Sequence, residues 1–252
     1  MDRRSFLSFV RRSLPLSGLA AAISAPQFPP SARPANRVRD YISVGDFISQ
    51  EELSDPNFDA APRIQRAIDE ARCGRLYFPP GVYRVHSGLT ISANYQGTVF
   101  EGASRGNILE DDGVEGGVII RAVVPLGAVL TAFPRLVSIR DITFDGNAKA
   151  DYGILGMKPK GVIERTNVYR ANEAGIKLGG NKDGSAFSWR ILNCAISYNC
   201  RDGIQLGEVD SHREPTVHTD THISFCTIGG NNRHGIWVGG GSPVIIIEKL
   251  QS

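Results

Sequence analysis

The chain has 252 residues, of which 41% are hydrophobic, 21% are charged and 28 are glycine. This length and composition predict one sizeable folded domain and exclude a chain that is disordered throughout. The formal net charge of +2 arises at the N-terminus, because residues 26–252 alone carry a net charge of −1. Since a nearly neutral domain has no global field for anionic partners, and no apolar run is long enough to span a bilayer, we expect neither a nucleic-acid partner nor a membrane span.

The first 25 residues have the features of an export signal. Residues 3–7 read Arg-Arg-Ser-Phe-Leu, and an apolar stretch rich in alanine follows. This order resembles the twin-arginine signal of bacteria, so it implies passage through the twin-arginine translocase and a periplasmic or secreted location. Cleavage is expected within residues 22–25, and residues 26–38 are predicted to form a proline-rich linker. A solvated basic tail is the alternative interpretation.

The next segments predict a helix and two strands. Between Asp59 and Arg72, apolar residues recur with the spacing of an amphipathic helix, and Asp59 is suited to be its N-cap. We expect this helix to cover the open end of the core that follows. Residues 75–83 read Arg-Leu-Tyr-Phe-Pro-Pro-Gly-Val-Tyr, which predicts a strand, a tight turn and a second strand.

One turn of chain recurs through the second half of the sequence. The segments Ile163–Leu178, Ile191–Leu206 and Ile223–Val238 superpose without gaps and close on Gly-Ile-x-Leu/Val-Gly, and a looser copy begins at Ile139. Their alternating apolar residues are typical of strands, which bury a face only when equivalent strands stack on one another. The Gly-Ile pairs recur after 22, 28 and 32 residues. This spacing predicts a parallel β-helix with the excess residues in loops, whereas helical repeats need longer segments.

Polar residues also recur in register. Asn172, Asn199 and Asn231 lie at the turns, which suits both a left-handed backbone and a ladder of side-chain hydrogen bonds. Cys194 and Cys226 occupy the same inward position on successive turns. Since their parallel side chains are poorly directed for a disulfide, we expect a reduced stack.

Three motifs near the N-terminus indicate a family. They are residues 44–47 (Val-Gly-Asp-Phe), 64–69 (Ile-Gln-Arg-Ala-Ile-Asp) and 77–83 (Tyr-Phe-Pro-Pro-Gly-Val-Tyr). Together they resemble the N-terminal signature of the pectate-lyase-like superfamily, in its rhamnogalacturonase- and epimerase-like branch. The family's Asp-Gly-x-x-Asp-Asp-Thr motif is largely absent, since residues 54–59 replace it. The export signal and repeats also resemble a bacterial family of twin-arginine-translocated repeat proteins.

The resemblance to the superfamily spans roughly residues 40–240. It implies an all-β fold over residues 39–252, namely a single-stranded right-handed parallel β-helix (a solenoid) with an N-terminal capping α-helix. It also implies that a polysaccharide is the ligand.

Outward positions of the stacked Gly-Ile strands form the candidate site. Lys177, Gln205 and Trp237 occupy one line, and the longest insertions, residues 180–187 and 208–220, follow the same strands. Because loops at one edge of a sheet wall a groove, we predict that these three side chains, with Arg213 from the second insertion, bind substrate.

The candidate catalytic residues lie before a glycine or within the second insertion. They are Asp202, Glu208, Asp210, His212 and His234. Paired carboxylates suit glycoside hydrolysis, whereas a base beside cations suits lysis or epimerisation of a uronate. A solvated loop remains the alternative interpretation of the insertion.

No metal or cofactor is expected. His218, Asp220 and His222 are two residues apart from one another, as zinc ligands on one face of a strand would be, but no further ligand has a matching spacing. Calcium has Asp183, Asp202 and Asp210 available, although no loop motif supports it.

Two classes of function remain open. The first is an exported carbohydrate-active enzyme of lyase, hydrolase or epimerase type, and the second is a non-catalytic periplasmic protein that binds glycan or has a structural role. Residues 244–250 form a fresh apolar strand with no cap after it, so we expect either a chain truncated within its solenoid or an end covered by a partner subunit. The particular polysaccharide and the oligomeric state do not follow from the sequence.

Overall fold

The computed structural model describes residues 40–108, 114–158, 160–179, 188–207, 220–239 and 245–251. The predicted export signal and the whole of the predicted linker lie outside these residues, as do the insertions at residues 180–187 and 208–219. Four predicted site residues therefore also lie outside the described part of the chain: Glu208, Asp210, His212 and Arg213.

The described residues are mostly short strands. In chain order the elements are β1 (Ile42–Ser43), a 3₁₀ turn (Val44–Asp46), α1 (Gln50–Ser54), α2 (Ala61–Ala71), β2 (Arg75–Phe78), β3 (Gly81–Val85), β4 (Leu89–Ile91), β5 (Val99–Gly102), β6 (Asn107–Ile108), β7 (Val114–Glu115), β8 (Val118–Ala122), β9 (Leu126–Ala132), β10 (Val137–Arg140), β11 (Thr143–Asp145), β12 (Ala150–Gly156), β13 (Gly161–Glu164), β14 (Asn167–Tyr169), β15 (Ala174–Leu178), β16 (Arg190–Leu192), β17 (Ala195–Ser197), β18 (Asp202–Leu206), β19 (Thr221–Ser224), β20 (Thr227–Gly229), β21 (His234–Val238) and β22 (Ile245–Glu248). Neither described helix is long and apolar enough to span a membrane.

All the strands except the antiparallel pair β6 and β7 stack into three parallel sheets. Sheet A contains β1, β2, β5, β10, β13, β16, β19 and β22; sheet B contains β3, β8, β11, β14, β17 and β20; sheet C contains β4, β9, β12, β15, β18 and β21. The chain visits A, B and C in turn, and neighbouring strands run parallel. The predicted parallel β-helix is confirmed.

The register of the sheets confirms the repeat found in the sequence. Ile139, Ile163, Ile191 and Ile223 align in sheet A; Phe144, Val168, Ile196 and Ile228 in sheet B; and Ile154, Ile176, Ile204 and Ile236 in sheet C. All but Ile236 are buried. Each such side chain stabilises the fold by roughly 1.5–3 kcal/mol, so three apolar columns supply most of the core.

The corner between sheets B and C corrects one expectation about asparagine. Its left-handed residues are Arg170, Tyr198 and Gly230, with φ of 54°, 58° and 65°, and not the asparagines that follow. A left-handed residue projects its side chain outward, as the 62% exposure of Tyr198 shows. The amides of Asn199 and Asn231 instead point into the stack.

The predicted asparagine ladder has two members. The buried Asn199 accepts a hydrogen bond from the backbone N–H of Ala171 (2.9 Å) and donates to Asn231 Oδ1 (2.8 Å). Asn231 in turn donates to the carbonyl of Ile196 (3.1 Å). Asn172 is not a member, because Ala171 occupies its register position.

Helix α2 closes one end of the core, as predicted. Ile64 and Ile68 are fully buried beneath it, and Gln65 exchanges two hydrogen bonds of 2.9 Å with the backbone of Thr90 in the edge strand β4. The N-cap is Ala60, but Asp59 still accepts a hydrogen bond from the first turn, from the N–H of Ala61 (3.0 Å). The helix therefore covers the core and also occupies an open strand edge.

Trp189 fills the corner that leads from sheet C to sheet A. Its side chain is fully buried, and its indole N–H donates to the carbonyl of Lys158 (2.8 Å). The ring has room because glycines lie against it: a Cβ at Gly156 would stand 2.7 Å from the indole, and one at Gly161 would overlap it.

All four cysteines are free thiols. Cys194 and Cys226 are buried, whereas Cys73 and Cys200 are exposed. The thiols of the buried pair donate to backbone carbonyls, Cys194 to Leu192 (3.2 Å) and Cys226 to Ser224 (3.3 Å). The stacked, reduced arrangement therefore matches the expectation.

Candidate functional site

Lys177, Gln205 and Trp237 align on the outer face of sheet C, and we call these three residues the sheet C strip. They are register partners on β15, β18 and β21. Successive turns of the β-helix, which we call rungs, are about 4.8 Å apart, so the strip is roughly 10 Å long. Lys177 and Trp237 are half-buried, whereas Gln205 is only 3% exposed.

The ammonium of Lys177 is held by an aromatic side chain. It lies 3.3 Å from the hydroxyl of Tyr152 and 5.0 Å from the centre of its ring. Such a cation–π contact fixes a lysine without neutralising it. Lys177 therefore presents an oriented positive charge on the outer face of sheet C.

Gln205 carries a buried acceptor that no described residue satisfies. Its Oε1 atom has no hydrogen-bond donor within the part of the chain that the structure describes. An unpaired buried polar atom costs about 1–3 kcal/mol, so its position between Lys177 and Trp237 calls for a functional or structural reason.

A buried carboxylate lies beside the sheet C strip. The side chain of Asp202 is 1% exposed and receives two hydrogen bonds from Arg233, from Nε (2.9 Å) and from Nη2. Nδ1 of His234 lies 3.0 Å from the same carboxylate. Burial raises the pKa of Asp202, but the hydrogen bonds from Arg233 and His234 outweigh burial and lower the pKa below its usual value. Asp202 is therefore ionised at neutral pH.

His234 is the exposed member of this group. Its side chain is 49% exposed, and its Nε2 atom makes no hydrogen bond to any described residue. A carboxylate at Nδ1 fixes the orientation of the ring and leaves Nε2 as the atom available for proton transfer. The arrangement is chemically suited to proton abstraction at the outer face of sheet C.

The structure places five predicted site residues on three adjacent strands of sheet C. Asp202 and His234 are register partners on β18 and β21, the strands that also carry Gln205 and Trp237, and Lys177 lies on the adjoining β15. Asp202 is buried and paired, so it orients His234 and does not itself face a substrate.

Sequence reasoning did not identify Arg233 and Tyr152. A signal for Arg233 exists in the register, because Arg201 holds the equivalent place one rung earlier and also pairs with a carboxylate, that of Glu173. Tyr152 gives no such signal, because its contact with Lys177 depends on the direction of two long side chains.

Metal ligands do not gather among the described residues, where no group of three His, Cys, Asp or Glu side chains converges. Asp220 and His222 lie at the start of sheet A, and His222 Nε2 is 3.6 Å from a carboxylate oxygen of Glu248. Their expected partner His218 lies outside the described residues. Since Arg233 and His234 engage Asp202, that carboxylate has little capacity left for calcium.

Comparison with known proteins identifies a fold. No family model and no curated protein matches the chain. Among solved structures, the Agl-KA catalytic domain matches with a TM-score of 0.57 and 16% identity, over 87% of this chain and 38% of that one. A candidate glycosyl hydrolase from Parabacteroides merdae matches with a TM-score of 0.47 and 16% identity, over 84% of this chain and 97% of that one. The A-module of the mannuronan C-5 epimerase AlgE4 from Azotobacter vinelandii gives 0.38 and 18%, over 84% and 77%.

The likeness to the Agl-KA domain shows a shared fold. The chain is a parallel β-helix, and it spans 38% of the length of that domain. Identity of 16% does not carry an activity from one chain to the other.

Proposed function

We propose that this chain is an exported β-helix protein that binds an acidic polysaccharide across sheet C and abstracts a proton from a uronate ring there. The observation that carries the proposal is the pair formed by Asp202 and His234, with Nδ1 of His234 held 3.0 Å from the carboxylate and the exposed ring on β21, the strand that also carries Trp237. The reaction class is that of polysaccharide lyases and epimerases.

The chemistry needs a base and a neutralised carboxylate. The C5 proton of a uronate becomes acidic when a cation neutralises the adjoining carboxylate, and Lys177 supplies an oriented charge on this face. Nε2 of His234 takes the proton. In lysis the C5 electron pair forms the C4–C5 double bond and O4 departs; in epimerisation a proton returns to the opposite face of C5.

The same geometry argues against hydrolysis through Asp202. A glycoside hydrolase needs one protonated carboxyl group and one ionised carboxylate on opposite sides of the bond. The low pKa and the burial of Asp202 make it unsuitable as the acid. An imidazole base and a lysine therefore favour removal of a carbon-bound proton.

Recognition of the glycan would come from the rest of the sheet C strip. The indole of Trp237 offers an apolar face on which a sugar ring stacks. Gln205 lies between Trp237 and Lys177, but its Oε1 atom is buried, so the contacts to the glycan would come from Trp237 and Lys177. Because rungs repeat every 4.8 Å or so, these contacts would engage neighbouring sugar units.

Export through the twin-arginine translocase is part of the proposal. It rests on the sequence of residues 3–7, Arg-Arg-Ser-Phe-Leu. That route carries proteins already folded in the cytoplasm, and a fold with four free cysteines needs no oxidative assembly. A place among the bacterial twin-arginine-translocated repeat proteins is proposed on the same grounds.

The test is a substitution at the base with a matched control. We expect His234→Gln to abolish formation of unsaturated or epimerised products from pectate, alginate or rhamnogalacturonan, because no proton acceptor remains. His86→Gln is the control, since His86 also contacts an aspartate, Asp59 at 3.4 Å, but lies outside sheet C.

Three outcomes separate the possibilities. Loss of turnover in His234→Gln alone supports the proposal. Full turnover in that variant contradicts it. Binding without turnover by the wild-type protein across the panel would replace it with the non-catalytic glycan-binding function.

A further inference from the structure

We propose that a second site, on sheet A, binds an anionic saccharide. A groove with a volume of about 460 Å³ lies where the chain enters sheet A, and its lining includes Leu136, Ser138, Lys160, Ser188, Arg190 and Asp220. We call it the sheet A groove. Its volume falls within the range of small-molecule sites.

The wall of the groove is built by one corner position on four successive rungs. Leu136, Lys160, Ser188 and Asp220 each precede a strand of sheet A, and all four are left-handed, with φ of 62°, 68°, 58° and 58°. A shared backbone conformation sends their side chains in the same direction. Four rungs at about 4.8 Å make a wall roughly 14 Å long, which suits an extended oligosaccharide.

The charges of the groove indicate an anionic ligand. The side chains of Lys160 and Arg190 make no ion pair or hydrogen bond to any described residue, although both backbones are bonded within the solenoid. By contrast, two other arginines of sheet A and its corners pair with carboxylates: Arg140 with Glu101 (3.2 Å) and Arg165 with Asp141 (2.7 Å). Two unpaired cations on one groove are a site for carboxylate or sulfate groups.

Hydroxyl groups and an apolar surface favour a saccharide over other anions. Ser138, Ser188 and the exposed carboxylate of Asp220 match the hydroxyls of a sugar, and the 58% exposed side chain of Leu136 offers contact to its C–H face. A single inorganic anion would fill only part of 460 Å³.

An acidic peptide fits this groove less well. Extended peptides bind by adding a strand to a free sheet edge. Strands β10, β13, β16 and β19 are each paired on both sides, so their backbone groups are already used. A ligand in the groove would therefore be bound by side chains and not by unpaired backbone groups.

The site does not depend on the chemistry of His234. Sheets A and C meet at the corner that carries Trp189, and the two surfaces face outward from different sheets. A lyase, an epimerase or a non-catalytic binder would each hold a glycan more firmly with a second contact, because the second binding event is then intramolecular.

The experiment measures binding of trigalacturonate by calorimetry in a background that lacks the sheet C strip, Lys177→Gln with Trp237→Ala. In that background we expect Lys160→Asn with Arg190→Gln to weaken binding at least tenfold, because two charge-assisted contacts are lost. Asparagine tolerates the left-handed conformation that position 160 needs. Arg66→Gln with Lys149→Gln is the control, because it removes the same charge from exposed positions away from the groove.

The outcomes are distinct. Tenfold weakening in the groove variant, no change in the control and weaker binding at high ionic strength support the site. Equal affinity in the groove and control variants overturns it. Tighter binding of oligoglutamate than of trigalacturonate overturns the assignment to saccharide. If the double variant does not fold, Arg190→Gln alone must weaken binding, and unchanged affinity there also overturns the site.

Discussion

Replacement of Asn199 by alanine tests the stacking of rungs at a single amide. Asn199 is fully buried, and its side chain accepts from Ala171 N (2.9 Å) and donates to Asn231 Oδ1 (2.8 Å). Asn199→Ala removes both hydrogen bonds. It also leaves the N–H of Ala171 without an acceptor in the interior.

The size of the effect follows from these contacts. Each lost hydrogen bond contributes about 0.5–1.5 kcal/mol, and a stranded buried N–H costs about 1–3 kcal/mol. The free energy of unfolding should therefore fall by about 2–6 kcal/mol. For a domain of this size, about 3 kcal/mol corresponds to a fall in Tm of roughly 6–12 °C.

The assay is thermal and urea unfolding followed by circular dichroism, with Asn172→Ala as the matched control. Asn172 lies at the same corner, but its side chain makes no hydrogen bond to a described residue, so its loss should cost less than about 0.5 kcal/mol. If Asn199→Ala unfolds at the same temperature as Asn172→Ala, the ladder does not stabilise the rungs and the reasoning is refuted.

Three further predictions concern the core, the site and the thiols. Gly161→Ala should lower the free energy of unfolding by about 1–3 kcal/mol, because the added Cβ overlaps the indole of Trp189. The same substitution should cost less in a Trp189→Phe background, where the ring is smaller. An equal cost in both backgrounds would contradict the contact. Since the folded-state pKa of Asp202 is lowered, its contribution to stability is complete above the ordinary carboxyl pKa of about 4 and is lost as the pH falls through the lower folded-state pKa. The free energy of unfolding in urea should therefore fall less steeply at acid pH in Asp202→Asn than in the wild-type protein. The same pH dependence in both proteins would contradict the ion pair. Denatured, unreduced protein should label at four thiols, and a smaller number would show a disulfide.

The apolar columns of the solenoid were predictable because stacking allows one register only. Ile163, Ile191 and Ile223 must coincide if each short strand is to bury its face, and a shift of one residue would expose every one of them. The same register placed Lys177, Gln205 and Trp237 in one line. Periodicity thus determines inward and outward positions over most of the chain.

The corners were only partly predictable from residue type. Asn147 and Asn193 favour the left-handed conformation that they adopt, whereas other left-handed positions are held by residues such as Leu136 and Tyr198, which give no local signal for it. The apolar columns of the two flanking sheets impose the left-handed conformation, because each rung must turn at the same place as the rung before. The position of Trp189 depends likewise on Gly156 and Gly161, which lie on earlier rungs.

The candidate site was predictable in position but not in role. Asp202 and His234 were placed beside the sheet C strip by register, whereas the burial of Asp202 depends on Arg233 folding over it from the next rung. That contact changes Asp202 from a candidate acid into the group that orients His234.

Proton exchange at carbon is the most direct test of the proposed function. Oligomers of galacturonate, mannuronate and guluronate would be incubated with the protein in deuterated water and their H5 resonances followed by NMR. The account predicts that the H5 signal of one of these uronates disappears, through deuterium incorporation or an unsaturated product, with wild-type protein and not with His234→Gln. An H5 signal that persists in every bound uronate would contradict proton abstraction at sheet C.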